Sequence, residues 1–123
     1  MKANLIRANL IQANLIGANL KEANLEGSDL DWANFRGVNL TNSCLKGADL
    51  IGTNLEEAIL IGANFAEANL LNANLNGANL KEALNLTIDQ LSVVKTLYNA
   101  KMDNDLFIPL KEKYPTLFEK PDV

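Results

Sequence analysis

A period of five residues dominates this chain. From Leu5 to Leu80 every fifth residue is Leu, except for Phe35 and Phe65, which gives sixteen consecutive large apolar residues in register. We call these residues the centres. Two residues before each centre lies the small position, which is Ala in twelve repeats and otherwise Ser28, Val38, Ser43 or Thr53. Directly before each centre lies the Asn position, which is Asn in twelve repeats, Asp in two, and Cys44 or Ile59 in the others.

Neither regular helix nor regular strand buries all sixteen centres. Residues five apart on an α-helix are rotated by about 140° from one another, so the centres would spread around its whole surface. Side chains of a strand alternate between its two faces, so successive centres would point to opposite sides. The chain therefore has to turn once per repeat. This pattern predicts an all-β solenoid over residues 1–83, with the small position and the centre inside and the Asn position outside.

Turn-forming residues occur at one phase of the repeat, two residues after a centre, which we call the corner position. All seven glycines of the chain lie there: Gly17, Gly27, Gly37, Gly47, Gly52, Gly62 and Gly77. A type II turn needs a positive φ at its third residue, where Gly or Asn is favoured, and Asn42 and Asn72 share this phase. The corners that carry Arg, Gln, Glu or Trp are expected to use a different turn.

Tandem A(N/D)LXX repeats resemble the pentapeptide-repeat family. The number of copies, together with a tail similar to LTxxQLxxxKTLY…EKYP, resembles cyanobacterial members. The resemblance implies a right-handed quadrilateral β-helix in which four repeats form one coil, and thus about four coils here. Between coils, twenty residues would separate stacked positions.

Residues 84–123 lack the period and are expected to form a short α-helical cap and tail. The segment 87–90 has the form of a capping box, and Leu91, Val94, Leu97 and Tyr98 follow at helical spacing.

A second helix is expected from Asp103 or Asp105 through Lys113, with Pro109 tolerated only in its first turn and Pro115 ending it. Capping elements cover the open end of a solenoid, which is the favoured interpretation of this segment. The alternative is a partner groove lined by three aromatic residues, Tyr98, Phe107 and Tyr114.

The first coil has no comparable cap, because the repeats begin at Ala3. An uncovered coil favours a homodimer through the N-terminal coil or the addition of a partner strand.

Outward apolar residues suggest a second contact surface. Several Ile and Leu residues directly follow a centre, and with coils of twenty residues, Ile11, Ile51 and Leu71 fall in one column, next to Trp32. Isolated surface aliphatics are common; the alternative is a protein-contact surface. The candidate residues of that surface are Ile6, Ile11, Trp32, Ile51 and Leu71.

The chain offers little for catalysis. It has no His, its single Cys44 has no second cysteine to pair with, and its glycines do not form a phosphate-binding loop. Asp29 and Asp49 are expected to stack on one face about 5 Å apart, where they could share a cation or a proton, although satisfying the local backbone is the favoured role. We therefore predict no catalytic, cofactor-binding or metal-binding residues and no enzyme activity.

Charge and hydropathy restrict the partners. The net charge is −4, and acidic and basic residues are interspersed along the chain, which disfavours nucleic-acid and membrane-surface binding. No segment approaches the ~20 apolar residues of a membrane span. One cysteine fits a reducing compartment, so a cytoplasmic location is expected.

The sequence favours a non-enzymatic structural or protein-interaction module with an unknown protein partner. The alternative follows from the resemblance: some family members mimic DNA and bind a type II topoisomerase. Across residues 1–83, six basic and nine acidic residues give a net charge of only −3, which disfavours that alternative.

Overall fold

Parallel β-bridges organise most of the chain. The computed structural model describes residues 2–122, in which bridges join each Asn position to the residue twenty positions later, from Asn4–Asn24 to Asn64–Leu84. An interior repeat pairs in this way with the repeats twenty residues before and after it. Residues 2–84 thus form a β-helix whose coils stack in parallel.

The core is a column of centres inside this β-helix. From Leu25 to Leu80 every centre is at most 1% exposed, and the small positions between them are also buried. The predicted alternation of inside and outside residues is confirmed. At about 1.5–3 kcal/mol for each buried Leu or Phe, this column is the main apolar stabilisation of the fold.

The corners do not use two kinds of turn. All sixteen corner positions have φ between 57° and 70°, including Arg7, Trp32 and Glu57. The expectation of a different turn at non-glycine corners is therefore wrong. The reason lies in the backbone, because at fourteen of the sixteen corners the N–H donates to a carbonyl of the following coil (Arg7 N to Glu26 O, 2.9 Å). That repeated bond holds these corners to one backbone path, and its retention outweighs the roughly 1–2 kcal/mol that left-handed backbone costs a residue with a Cβ.

The C-terminal segment begins with a single helical turn. Helix α1 (Ile88–Leu91) has Thr87 as its N-cap, and Thr87 and Gln90 form the predicted capping box. The helix ends at Leu91, so the expected continuation to Tyr98 is wrong. Instead, Thr96 makes a parallel bridge with Asn74. The last full coil has backbone groups along its edge that no later coil would otherwise pair with. The chain after Leu91 pairs with these groups and therefore does not continue as a helix.

A further repeat is present at residues 96–100, which the sequence analysis missed. Thr96 Oγ1 accepts a hydrogen bond from the Tyr98 N–H (3.0 Å), as an Asn position does. Leu97 is fully buried, Asn99 has φ of 59°, and Ala100 N–H donates to Leu97 O at 2.9 Å. The bridge offset here is 22 residues rather than twenty, since Asn74 pairs with Thr96.

Two further helices cover this end. Helix α2 (Asn104–Lys113) has Asp103 as its N-cap, and a 3₁₀ helix (Pro115–Phe118) follows. Helix α2 stops before Pro115, as predicted. Pro109 is the sixth residue of the helix, so the expectation that it lies in the first turn is wrong. The exposed second turn accommodates the proline ring and its missing N–H.

Side chains of these helices pack on the last coil and on each other. Leu110 is fully buried, and the rings of Phe107 and Phe118 meet edge to face with centroids 5.3 Å apart. Phe107 and Tyr114 both pack against the buried core. Within the described residues, none of these helices has the length and hydropathy needed to cross a bilayer.

Candidate functional site

Within residues 2–122, the first coil has a neighbouring coil on one side only, and we call its other side the open end. Its centres, Leu5, Leu10, Leu15 and Leu20, are only half-buried. The centres of the next coil, by contrast, are fully buried between two neighbours. Apolar core surface therefore reaches solvent at this end.

Backbone hydrogen-bonding groups are also unpaired there. In the second coil the Asn24 N–H donates to Ala3 O at 2.9 Å, and Asn24 O accepts from Leu5 N–H at 2.7 Å. The equivalent groups of Asn4 have no preceding coil within residues 2–122. The same holds around the whole coil for four N–H groups, those of Asn4, Asn9, Asn14 and Asn19. By the same equivalence, each side of this coil presents one N–H donor and two carbonyl acceptors along its free edge.

A small cavity lies at the same end. Its volume is about 220 Å³, and Ala3, Asn19, Lys21 and Glu22 line it. Lys2 and Glu22 form an exposed ion pair beside it, with Nζ and Oε2 3.4 Å apart. Small-molecule sites are usually larger, at about 300–1,000 Å³, and mostly apolar. This polar cavity therefore does not indicate a substrate pocket.

A second candidate surface lies on one side of the solenoid. Ile11, Asp31, Ile51 and Leu71 each follow a centre on the same face, in successive coils. Ile11 is 46% exposed and Leu71 43%, while Ile51 is half-buried. The adjoining Trp32 is 59% exposed. We call Ile11, Trp32, Ile51 and Leu71 the side surface.

The fifth predicted contact residue lies elsewhere. Ile6 is 46% exposed but follows a centre of the preceding face, where Glu26, Lys46 and Ala66 occupy the same column in later coils. The structure therefore brings together four of the five predicted residues, and Ile6 is separate from them.

Three carboxylates lie on the same side of the solenoid as the side surface. Asp29 and Asp49 pair through a parallel bridge, as their spacing predicted, and Asp31 joins them; one oxygen from each lies within 4.8 Å of the others. Desolvation by burial raises the pKa of Asp31 to about 6, and the hydrogen bond and charge of Asp49 and the charge of Asp29 add to the effect. The Ile51 N–H opposes it by donating to Asp31 Oδ1 at 3.1 Å. We call Asp29, Asp31 and Asp49 the acidic cluster.

Sequence reasoning considered Asp29 and Asp49 but missed the third member. Asp31 follows the centre Leu30, a position that it shares with Ile11 and Ile51 in adjacent coils. The signal was the DLD sequence at 29–31, combined with Asp49 one coil later. The favoured local role of the predicted pair is also present, because Asp29 and Asp49 each accept the N–H two residues on, at 3.1 and 3.2 Å.

The family assignment follows from this repeated geometry together with a sequence match. The family model described as pentapeptide repeats matches residues 3–42 and 43–82, with eight copies. The chain is a pentapeptide-repeat protein. The predicted resemblance is therefore confirmed over about two-thirds of the chain.

Solved structures of other pentapeptide-repeat proteins are similar to this one. The protein alr5209 from Nostoc PCC 7120 shares 31% identity over 83% of this chain and 86% of its own, with a TM-score of 0.62. AT2G44920 from the Arabidopsis thaliana thylakoid lumen shares 28% identity over 80% of this chain and 71% of its own, with a TM-score of 0.61. Rfr23 from the cyanobacterium Cyanothece 51142 shares 36% identity over 76% of this chain and 62% of its own, with a TM-score of 0.40. The predicted similarity to cyanobacterial members is confirmed.

No curated protein matches the chain.

Proposed function

We propose that this pentapeptide-repeat protein is a non-enzymatic protein-interaction module that associates with a second copy of itself through its first coil. The observation that carries the proposal is the open end, where half-buried leucines and unpaired backbone groups lie together. A free sheet edge is a template for pairing with another chain. The opposite end is covered by α1, α2 and the 3₁₀ helix.

A second copy suits this end because the edge carries both partners of a hydrogen bond. Each side of the first coil presents one N–H group and two carbonyls at this edge. Two first coils related by a two-fold axis would face each other with antiparallel strands, in which donors and acceptors exchange reciprocally. Such a contact would also bury the leucine centres of both copies.

The test is the solution mass of the chain by light scattering, with Ala13→Lys as the blocking variant. Ala13 is half-buried at the open end, so a lysine there can extend its charged group into solvent while remaining in the fold. We expect a dimer for the unchanged chain and a monomer with an unchanged circular dichroism spectrum for Ala13→Lys. Ile16→Lys is the matched control, because Ile16 is 55% exposed on the side of the same coil. A monomeric unchanged chain, or a control that dissociates equally, would overturn the homodimer.

The side surface and Ile6 are further contact residues that we propose for partner proteins. We also propose the finer architecture: a right-handed, quadrilateral helix of about four coils, with residues 1–83 as the β-helix and 84–123 as cap and tail. The twenty-residue bridge interval supports four sides. A cytoplasmic location is part of the same proposal, and fractionation of cells that express the tagged chain tests it.

The DNA-mimic alternative, with a type II topoisomerase as partner, has less support. Mimicry of duplex DNA needs regularly spaced negative charge along the molecule. The acidic cluster is confined to two coils, and Ile11 and Leu71 lie above and below it on the same face. Direct binding to a purified topoisomerase, measured with and without DNA, tests this alternative.

A further inference from the structure

The side surface combines exposed apolar groups with unneutralised negative charge. Ile11 and Leu71 are the outermost members of its column, and the acidic cluster lies between them at the level of the second and third coils. Within residues 2–122 the ion pairs are Lys2–Glu22 and Arg36–Glu57, so no basic side chain of the described chain pairs with Asp29, Asp31 or Asp49.

We propose that the side surface binds an extended segment of a partner protein in which an arginine or lysine is flanked by aliphatic residues. The basic side chain lies on the acidic cluster, and the aliphatic residues contact Ile11 on one side and Ile51 and Leu71 on the other. This inference rests on the proposed function, because it takes the solenoid to be an interaction module, but it concerns the side of the solenoid and not the outer edge of its first coil.

Charge complementarity selects this partner. Three carboxylates whose oxygens lie within 4.8 Å of one another repel each other, and a cationic group from outside relieves that repulsion. A guanidinium suits the cluster best, because its fork of donors can contact two carboxylates at once. Burial, and after it the same repulsion, raises the pKa of Asp31.

Spacing selects an extended segment. Successive coils are about 4.8 Å apart, so Ile11 and Leu71, three coils apart, are separated by about 14 Å. In an extended peptide, side chains on one face recur about every 6.8 Å, so positions i and i+4 span about 14 Å. Aliphatic residues at i and i+4 with a basic residue at i+2 therefore match the column.

Trp32 provides both binding surface and a reporter. It is the only tryptophan of the chain, it is 59% exposed, and its ring lies against Gly52 of the next coil. Trp32 directly follows Asp31 in the chain, and an exposed aromatic ring favours arginine and lysine through contact with its face. The indole N–H gives a single resolved signal by nuclear magnetic resonance.

The experiment is a titration of the intact chain with acetyl-Leu-Ser-Arg-Ser-Leu-amide to millimolar concentration, followed by backbone and indole N–H shifts. We expect shifts confined to the side surface and the acidic cluster, from Ile11 in the first coil to Leu71 in the fourth. The peptide in which Glu replaces Arg should cause none. Absence of shifts with the arginine peptide would overturn the inference.

The variant for this test is the double substitution Asp29→Asn and Asp49→Asn. Asn occupies the same position in twelve other repeats, so the turn bonds are kept. We expect the Kd to rise about tenfold or more, since loss of a hydrogen bond to a charged group costs at least about 1.5 kcal/mol. Asp105→Asn with Asp122→Asn is the matched control, because it removes the same charge from exposed sites on the cap. An equal loss in the control would reduce the effect to general electrostatics and overturn the inference.

Measurements on the same samples distinguish two more outcomes. If Ca²⁺ alone at stoichiometric concentration shifts the same signals, the cluster is a cation site and the peptide proposal is wrong. Light scattering on each variant reports self-association independently, so failure of peptide binding with an intact dimer leaves the first-coil proposal standing.

Discussion

At the Asn position, one side-chain oxygen accepts a hydrogen bond from a backbone N–H that has no backbone acceptor within the described residues. In fourteen repeats the Asn or Asp Oδ1 accepts from the N–H two residues later, at 3.0–3.2 Å. The two exceptions are Cys44 and Ile59, which cannot accept in this way. The recurrence of Asn is therefore a requirement of the turn.

Cys44→Asn should stabilise the protein. Asn would supply an acceptor for the Lys46 N–H. A hydrogen bond of this kind adds about 0.5–1.5 kcal/mol to the free energy of unfolding. Urea denaturation measures the change, and Cys44→Ala is the control because it removes the thiol without adding an acceptor. Equal stability of the two variants would contradict the role assigned to the Asn position.

Asp31 should make stability depend on pH in the unusual direction for a carboxyl group. Its pKa in the folded protein is about 6, above the ordinary value of 3.8, so the folded state binds more protons between these pH values. Its contribution is therefore present below pH 3.8 and is lost as pH rises through 6. We expect Asp31→Asn to be more stable than the unchanged chain at pH 7 and to show a smaller fall in stability between pH 4 and 6.

Urea midpoints at several pH values check this expectation, with Glu26→Gln as the control. Glu26 also follows a centre in the second coil but is exposed and outside the acidic cluster. The assignment fails if both variants change the pH profile equally.

At the scale of the corners, stacked side chains explain where glycine is required. Corner residues with long side chains adopt positive φ as readily as glycine here, so backbone conformation alone does not place the glycines. The ring of Trp32 instead occupies the space that a Cβ on Gly52 would need, with Cδ2 only 2.7 Å away. No atom lies within 4 Å of the corresponding place on Gly47.

Gly52→Ala should therefore destabilise the protein more than Gly47→Ala. Both substitutions carry the cost of left-handed backbone, about 1–2 kcal/mol. Gly52→Ala adds overpacking against Trp32, about 1–3 kcal/mol. Thermal or urea unfolding of both variants, in the unchanged and the Trp32→Ala backgrounds, measures the difference. The excess should disappear in the Trp32→Ala background, and its persistence there would contradict the contact.

Prediction from the sequence was correct for elements whose structure depends on one kind of side chain. It was wrong where a segment could either continue a helix or pair with a neighbouring coil. The centres and the Thr87–Gln90 capping box belong to the first kind. Residues 92–98 belong to the second kind. Their apolar residues have helical spacing, but Thr96 pairs with Asn74 at the edge of the previous coil. The candidate site divides similarly: a twenty-residue column placed Ile11, Ile51 and Leu71 together, whereas the proximity of Asp31 to Asp49 needed side-chain conformations that a sequence does not contain.

Across the whole molecule, the two ends differ in how well they are protected. Among residues 2–122, the first coil has neighbours on one side only, while the last is covered by a partial coil and helices. In solenoids each coil is stabilised mainly by its nearest neighbours. Opening should therefore begin at the first coil.

Amide hydrogen exchange tests this asymmetry. In the Ala13→Lys variant, the Leu5 and Leu10 amides should exchange about tenfold or more faster than those of Leu45 and Leu50, because local opening needs the loss of fewer contacts. In the unchanged chain at high concentration, association should slow exchange in the first coil alone. Uniform exchange along the solenoid would contradict both the asymmetry and the proposed contact.

Because the coils repeat every twenty residues, the number of coils in such a molecule can change without any change in the structure of its two ends. Duplication of any twenty consecutive residues within the β-helix returns the chain to the same phase, adding one layer of about 4.8 Å. Insertion of a single residue instead moves every later centre out of the interior. The partial coil accepts two extra residues because α1 takes them up before Thr96 pairs with Asn74. Genes for such chains can therefore lengthen or shorten in whole layers, which changes the distance between the two terminal surfaces while leaving each surface intact.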